Sequence, residues 1–174
     1  MDLQDLIDRA EITDVLTQYA RGADRSDWAL VRACYHPDAH DDHGLYSGGI
    51  DGLMVFLEQV AGKLLSTTHQ LGNLLIERDG DAARTETYCF VWYRRSDRQG
   101  AERSVAQGVR YLDIFERRSG RWAIARRTVV LDWEHVLEPG TPARIAEGWK
   151  RGARGSADPS SAHLSLAASS RQPN

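Results

Sequence analysis

The change of hydrophobic period at Thr67 limits the possible folds more than any other feature of this sequence. Before it, apolar residues recur at the three- and four-residue spacings of amphipathic helices. After it, the chain reads as consecutive strands with hairpin-type turns at Asp79-Gly80 and Ser119-Gly120. Helices followed by consecutive strands predict an α+β fold rather than alternating βαβ units. The predicted helices are 3–23, a short one from 28 to 34 and one that Asp51 caps and that runs to about Leu64. The predicted strands are 67–78, 82–95, 102–117 and 121–133.

Strands of this length favour a strongly curved sheet. Such a sheet, mainly antiparallel and wrapped around the N-terminal helices, would close into a cone-shaped barrel with a central pocket. The polar stretch 38–49 is interpreted as a short edge strand plus a loop. Pro142 predicts the start of a short helix that ends near Lys150. We therefore expect one domain over 1–150 and a low-complexity C-terminal tail over 151–174, to which no chemistry is assigned.

The charge and hydropathy of the chain exclude several classes of partner. The formal net charge is −3, and no basic cluster indicates binding to nucleic acid. No apolar run approaches the length of a membrane span, and the acidic N-terminus does not resemble a signal peptide. The expected location is the cytoplasm. The chain also has no GxSxG elbow, P-loop or dinucleotide-binding glycine motif.

The end of the first helix places a tyrosine and a carboxylate near a glycine. Gly22 can end the helix in the left-handed conformation, and Tyr19 and Asp24 lie on either side of it. A continuous helix would put these two side chains on different faces, so their convergence requires a break at Gly22. Two structural interpretations stay open: Asp24 as an ordinary capping residue and Tyr19 as a core residue.

The best partner for Asp24 comes from far along the chain. His69 lies near the start of the first long strand, on the face that a regular strand shares with Leu71 and Asn73. The alternative is a core histidine with both ring nitrogens satisfied locally. The interpretation as a site residue makes Asn73 a candidate substrate contact.

An arginine on the last strand is a candidate for binding an anion. Arg127 alternates with a mainly apolar row that ends at Trp133, so it is predicted to face inward or toward another subunit. Pairing with a carboxylate such as Glu86 or Asp113 is as compatible with the sequence as a role with substrate. Trp133 is the candidate aromatic contact for substrate, although such residues more often belong to a core or an interface.

The segment His36-Pro-Asp-Ala-His-Asp-Asp-His43 combines imidazoles and carboxylates, as metal sites do. A catalytic metal on His40 or His43 is nevertheless disfavoured, because the segment lacks helical HExxH spacing. The preferred functional interpretation places His43 or Asp42 at the rim of the pocket.

Together these segments resemble the SnoaL-like branch of the nuclear transport factor 2-like superfamily over roughly residues 3–150. Within that branch the chain is similar to hexachlorocyclohexane dehydrochlorinases, bile acid 7-alpha-dehydratases and, more distantly, scytalone dehydratases. The resemblance is carried by Tyr19-Ala-Arg-Gly-Ala-Asp24, Tyr35-His-Pro-Asp-Ala39, Asp41-Asp-His-Gly44, Thr68-His-Gln-Leu-Gly-Asn73 and the run from Phe115 to Arg127.

The resemblance implies a catalytic group and a reaction. It implies an Asp-His dyad at Asp24 and His69, a catalytic tyrosine at Tyr19 and a pocket arginine at Arg127. The implied function is a lyase, dehydratase-like and independent of any cofactor, acting on a hydrophobic cyclic or aromatic small molecule. The more polar loop at 36–43 disfavours a halogenated substrate. Two alternatives stay open: an isomerase or cyclase with the same base, and a noncatalytic small-molecule-binding or assembly module.

A long curved sheet also predicts self-association. Its outer face would expose apolar side chains that need cover, so we expect a homo-oligomer. The resemblance is compatible with a trimer or a dimer.

Overall fold

The computed structural model describes residues 2–97, 99–137, 148 and 150–163. Among these residues, three helices and six strands make the α+β fold, and a fourth short helix lies in the C-terminal segment. The predicted α+β cone fold is confirmed. The helices are α1 (Leu3–Arg25), α2 (Trp28–Ala33), α3 (Ile50–Ala61) and α4 (Ser160–His163), and the strands are β1 (Tyr35–Asp42), β2 (Ser47–Gly49), β3 (Leu64–Asp79), β4 (Ala82–Ser96), β5 (Glu102–Arg118) and β6 (Arg121–Leu137).

Helix α1 is continuous through Gly22, so the predicted break at that residue is wrong. The helix begins after Asp2, whose side chain accepts from the backbone N–H of Asp5 at 2.8 Å. It ends at Arg25, where Ser26 adopts the left-handed conformation with φ 55°. Gly22 serves a different purpose, because a Cβ there would lie 2.8 Å from Cγ2 of Val31 on α2. The glycine lets α2 pack closely against α1.

The six strands form one mixed sheet in the order β2-β1-β6-β5-β4-β3. Neighbouring strands are antiparallel except β1 and β6, which are parallel. The prediction of an edge strand plus a loop for 38–49 therefore needs correction, since β1 is an internal strand and β2 is the edge strand of this segment. Pro37 is tolerated within β1 because the pairing with β6 is irregular between Tyr35 and His40.

The third helix begins two residues earlier than predicted, because Asp51 is not its N-cap. Gly49 is the N-cap of α3 and makes no side-chain capping bond. Asp51 lies in the first turn and accepts from Nη1 of Arg32 at 2.7 Å, which links α3 to α2. The helix predicted from Pro142 to Lys150 falls mainly outside the described residues.

The inner face of the sheet packs on the helices and carries the core. Helix α1 contacts β3 and β6, and its buried side chains include Ile12, Leu16 and Tyr19. Beta-bulges at Gly72-Asn73, Ala125 and Asp132 change which residues face inward. Among the described residues, no helix is both long enough and apolar enough to cross a membrane.

Candidate active site

Asp24 and His69 form a hydrogen-bonded pair between the last turn of α1 and strand β3. The Asp24 carboxylate lies 2.6 Å from Nδ1 of the imidazole, and both of its oxygens lie 3.0 Å from the backbone N–H of His69. Each side chain is 12% exposed. The Asp24 carboxylate thus holds both the backbone and the ring of His69 and sets the orientation of the imidazole. Because the carboxylate accepts from Nδ1, the proton stays on that nitrogen.

The pair opens on a groove between α1 and β3 with a volume of about 450 Å³. Both polar and apolar side chains reach the groove, so it can hold an apolar molecule and orient a polar group on it. Its lining consists of Thr17, Ala20, Arg21, Asp24, Arg25, His69, Gln70 and Leu71.

Tyr19 faces the core rather than the Asp24–His69 pair. Because α1 continues past Gly22, five residues turn the helix by about 140° between Tyr19 and Asp24. The ring of Tyr19 packs edge-on against the rings of Tyr35 and Tyr111, at centroid distances of 6.0 and 5.8 Å. Burial raises the pKa of Tyr19, so its hydroxyl remains protonated at neutral pH.

Arg127 is completely buried and pairs with Asp113, one of the two carboxylates that the sequence indicated. Nε and Nη2 of Arg127 donate to the two carboxylate oxygens, each at 2.7 Å. The guanidinium lies over the ring of Tyr19 at 4.1 Å and over the ring of Tyr111 at 4.2 Å. Burial opposes the charge, but the Asp113 carboxylate holds the pKa of Arg127 well above its usual range. Nη1 is buried and has no partner within the described chain.

A second Asp-His pair lies at the end of strand β1, formed by Asp41 on the strand and His43 directly after it. Nδ1 of His43 lies 2.9 Å from Oδ1 of Asp41, and the hydroxyl of Tyr35 donates to Oδ2 at 2.8 Å. Asp41 is fully buried, and the His43 side chain is 21% exposed. The signal was present in the sequence, because residues two apart on a strand share a face. Asp41, not Asp42, shares the face of His43.

The other predicted substrate contacts make no hydrogen bond within either pair. Asp42 accepts from the backbone N–H of Gly44 at 3.1 Å and so shapes the turn after β1. Asn73 is exposed because the bulge at Gly72-Asn73 moves it off the inward row of His69 and Leu71.

Trp133 is also displaced from the inward face. The bulge at Asp132 shifts the β5–β6 register, and Trp133 packs over Gly108, where a Cβ would lie 2.3 Å from the indole nitrogen. Its ring lies 5.8 Å from Phe90, an exposed residue between the buried side chains of Cys89 and Val91. Trp133 therefore belongs to the outer face of the sheet.

The C-terminal segment 150–163 docks beside the Asp24–His69 pair. Arg154 donates to the carbonyl of Ala61 at 2.6 Å and to Oγ1 of Thr67 at 3.2 Å. At the other end, Asp158 is buried and lies 3.2 Å from Nε of Arg25. Burial lowers the pKa of Arg154, and the negative charge of Asp24 opposes that change. The part of the predicted tail that the structure describes thus contacts the site.

No cluster of His, Cys, Asp and Glu in the described part of the chain has a metal-binding arrangement. Nε2–H of His36 donates to the carbonyl of Glu116 at 2.9 Å, and His43 is held by Asp41. The histidines of the 36–43 segment therefore do not converge there.

Comparison with known sequences places the chain among its relatives. The family model described as a SnoaL-like domain matches residues 4–128. An uncharacterized protein of Mycobacterium tuberculosis (strain ATCC 25618 / H37Rv) is 32% identical over 132 residues, which are 73% of this chain and 87% of that protein.

Solved structures share the fold. A hexachlorocyclohexane dehydrochlorinase superimposes with a TM-score of 0.74 at 20% identity, covering 83% of this chain and all (100%) of that one. A candidate scytalone dehydratase from Novosphingobium aromaticivorans superimposes with a TM-score of 0.66 at 17% identity, covering 82% and 97% of the two chains. At these identities the likeness concerns the fold alone.

Proposed function

Because this chain belongs to the SnoaL-like domain family, we propose that it is a cofactor-independent lyase that starts an elimination with the Asp24–His69 pair. The observation that carries the proposal is the contact of 2.6 Å between the Asp24 carboxylate and Nδ1 of His69 beside an open groove. The proposal is also supported by two solved structures of this fold, which are named as a dehydrochlorinase and a scytalone dehydratase. Both names denote eliminations.

His69 is the proposed general base. The Asp24 carboxylate accepts from Nδ1 and leaves Nε2 with its lone pair for a proton on carbon. When the ring takes that proton, the same carboxylate stabilises the imidazolium. Nε2 of His69 makes no hydrogen bond to the residues that the structure describes, so this atom is available to a substrate.

Tyr19 and Arg127 have supporting roles in the proposal. Tyr19 keeps its proton, but its ring is buried in the core and does not line the groove, so it supports the end of α1 that carries Asp24 instead of contacting substrate. Two guanidinium nitrogens of Arg127 donate to Asp113, and the third is buried. This arrangement argues against direct contact between Arg127 and substrate. We therefore assign Arg127 to positioning Tyr19, whose ring lies 4.1 Å from its guanidinium carbon.

The proposed substrate is a hydrophobic cyclic or aromatic small molecule with an acidic C–H next to a carbonyl. Ala20 and Leu71 supply the apolar wall of the groove, and Gln70 and Arg21 supply polar groups. A hydroxyl on the next carbon would take a proton from the His69 imidazolium and leave as water as the C=C bond forms. An isomerase would use the same base and return the proton to another carbon of the enolate.

The experiment is a turnover screen with cyclic β-hydroxy ketones and hydroxylated aromatic ketones. Loss of the base should lower kcat of His69→Gln by roughly a hundredfold to ten-thousandfold, and Asp24→Asn should lower it as well. His135→Gln, a change of an exposed histidine on β6, is the matched control and should leave turnover unchanged. Wild-type turnover by His69→Gln would contradict the proposal, whereas absence of turnover by the wild-type protein would favour a noncatalytic binding module.

A further inference from the structure

Arg21 lines the same groove as Asp24 and His69. The groove residues of α1 recur at spacings of three and four, so they share one face of the helix. Arg21 precedes Asp24 by about 4.5 Å along the helix axis. The groove volume of about 450 Å³ is that of a small-molecule site. A molecule in this groove can therefore contact the guanidinium and the imidazole at the same time.

The charge around the groove differs in sign from that of the whole chain, whose formal net charge is −3. Arg21 and Arg25 line the groove, and Arg154 lies close enough for its charge to interact with Asp24. Two carboxylates, those of Asp24 and Asp158, lie among these arginines. Within the described lining and the segment beside it, one positive charge therefore remains unbalanced when His69 is neutral.

Arg25 and Arg154 are already engaged. Nε of Arg25 lies 3.2 Å from the carboxylate of Asp158. Arg154 donates from its two Nη atoms to protein oxygens, and it does not line the groove. Arg21 makes no ion pair within the described chain, and its guanidinium donates there to the neutral hydroxyl of Ser160. Arg21 is thus the charge that an anion in the groove would neutralise.

A chain of hydrogen bonds fixes the guanidinium of Arg21. Nη1 donates to Oγ of Ser160 at 3.1 Å. The Ser160 hydroxyl gives its own proton to Oδ1 of Asp158, so its lone pairs are left for Arg21. Asp158 is buried and accepts from the backbone N–H groups of Ala153 and Ser160, each at 2.9 Å. A buried carboxylate therefore sets the orientation of Arg21 through one hydroxyl.

The rest of the Arg21 guanidinium is available to a ligand. Nε and Nη2 make no hydrogen bond to the described residues. These two N–H groups form one side of the planar guanidinium fork, and a carboxylate accepts from both. Ser160 can keep its bond to Nη1 in such a complex. Because the fork is oriented in advance, less side-chain freedom is lost on binding.

We propose that Arg21 binds a carboxylate of the substrate, so that the ring compound in the groove is an acid and not a neutral ketone. The inference rests on the proposed function. The substrate then carries the carboxylate on the same ring as the ketone and the leaving hydroxyl. Ala20 and Leu71 contact the ring between the two polar ends of the groove. Arg21 is a binding residue and Ser160 is a positioning residue.

The test compares an acid and an amide of the same size. The probes are 3-hydroxy-5-oxocyclohexane-1-carboxylate and the corresponding carboxamide, which share the ring, the ketone and the leaving hydroxyl. In the wild-type protein kcat/KM for the acid should exceed that for the amide by at least about tenfold, because hydrogen bonds between charged groups are stronger. In Arg21→Gln this ratio should fall close to one, mainly through a higher KM for the acid. Arg126→Gln, a change of an exposed arginine on β6, is the matched control and should keep the wild-type ratio.

A structural role of Arg21 predicts a different result. Arg21→Gln would then lower kcat/KM for the acid and the amide alike and leave their ratio unchanged. That result overturns the inference even if His69→Gln abolishes turnover. An acid-to-amide ratio near one in the wild-type protein overturns it as well.

Binding of an unreactive acid tests Arg21 without any turnover. Calorimetry should give the wild-type protein at least about tenfold higher affinity for cyclohexanecarboxylate than for cyclohexanecarboxamide. Arg21→Gln should remove this difference, and Arg126→Gln should retain it. Equal affinities in the wild-type protein, or no binding of either ligand, would refute the carboxylate site. Because these ligands have neither a ketone nor a leaving group, a failure of the dehydratase proposal would not alter this result.

Ser160→Ala tests the positioning role. The variant keeps Arg21 but loses the hydroxyl that orients its guanidinium. Its affinity for cyclohexanecarboxylate should fall by about threefold or more, and Ser160→Thr, which restores a hydroxyl, should recover it. Wild-type affinity in Ser160→Ala would overturn the role of Ser160.

Discussion

The buried pair of Arg127 and Asp113 allows a quantitative test of how the interior of the sheet is held together. Asp113→Asn keeps the size of the side chain and removes its charge. The amide oxygen of the new asparagine could still accept one bond from the guanidinium, but its NH2 group would face the second N–H donor of Arg127. Both side chains are 0% exposed, so water cannot replace the lost partner. The guanidinium would then be a buried charge without a counter-ion.

The expected cost follows from that burial. Removing one partner of a buried ion pair costs about 3–5 kcal/mol of the free energy of unfolding. For a chain of this length that loss corresponds to a decrease in Tm of about 6–20 °C. The contacts of Arg127 with the rings of Tyr19 and Tyr111 remain in this variant, so the effect isolates the carboxylate.

Urea unfolding, followed by tryptophan fluorescence and circular dichroism, measures the change. The control is Asp132→Asn, which removes an equally well-oriented carboxylate from Arg110 on the outer face of the same sheet. Asp132 is 36% exposed, and its loss should leave the free energy of unfolding nearly unchanged. A loss below about 1 kcal/mol for Asp113→Asn would refute the account of the buried pair.

Further changes test other parts of the structure. Gly22→Ala should lower the free energy of unfolding in urea by about 1–3 kcal/mol and should lower turnover, because the new Cβ would press on Val31 and displace the end of α1. A variant with wild-type stability would refute the close approach of α2. Hydrogen bonds and Arg25 lower the pKa of Asp158, so the ionised carboxylate favours the docked position of segment 150–163. Docking should be complete above pH 3.8 and should weaken as the pH falls below that value. In Asp158→Asn it should be weaker at every pH. Hydrogen exchange of that segment measures this effect, and equal protection in variant and wild type would contradict it. If the outer face mediates the expected oligomer, Trp92→Asp should shift the sedimentation mass toward the monomer, and an unchanged oligomeric mass would exclude Trp92 from the interface.

The helices and long strands were predictable because their hydrophobic periods are strong. The change of period at Thr67 and the turns at Asp79-Gly80 and Ser119-Gly120 correctly indicated an α+β fold with consecutive antiparallel strands. The parallel pairing of β1 with β6 was not predictable, because it joins segments that are far apart in sequence. The role of Gly22 was misjudged for a related reason, since its close contact with Val31 depends on tertiary packing.

The prediction of which sheet face a strand residue occupies was wrong wherever a bulge interrupts the alternation of side chains. Regular alternation put Asn73 beside His69 and Trp133 beside Arg127, and the bulges at Gly72-Asn73 and Asp132 undo both predictions. An extra residue in one strand leaves no strong mark in the hydrophobic pattern. The proximity of Asp24 and His69 came from the family resemblance, because 45 positions separate them in the chain.

Hydrogen–deuterium exchange at carbon tests the central claim most directly, because it detects proton removal without requiring a leaving group. Cyclohexanone and related cyclic ketones would be incubated with the protein in D2O, and loss of the C–H signal next to the carbonyl would be followed by proton NMR. The account predicts that the wild-type protein accelerates exchange and that His69→Gln reduces this acceleration by roughly a hundredfold or more, while His135→Gln retains it. Exchange by His69→Gln at the wild-type rate, or no acceleration by the wild-type protein with any of these ketones, would contradict the assignment of His69 as the base.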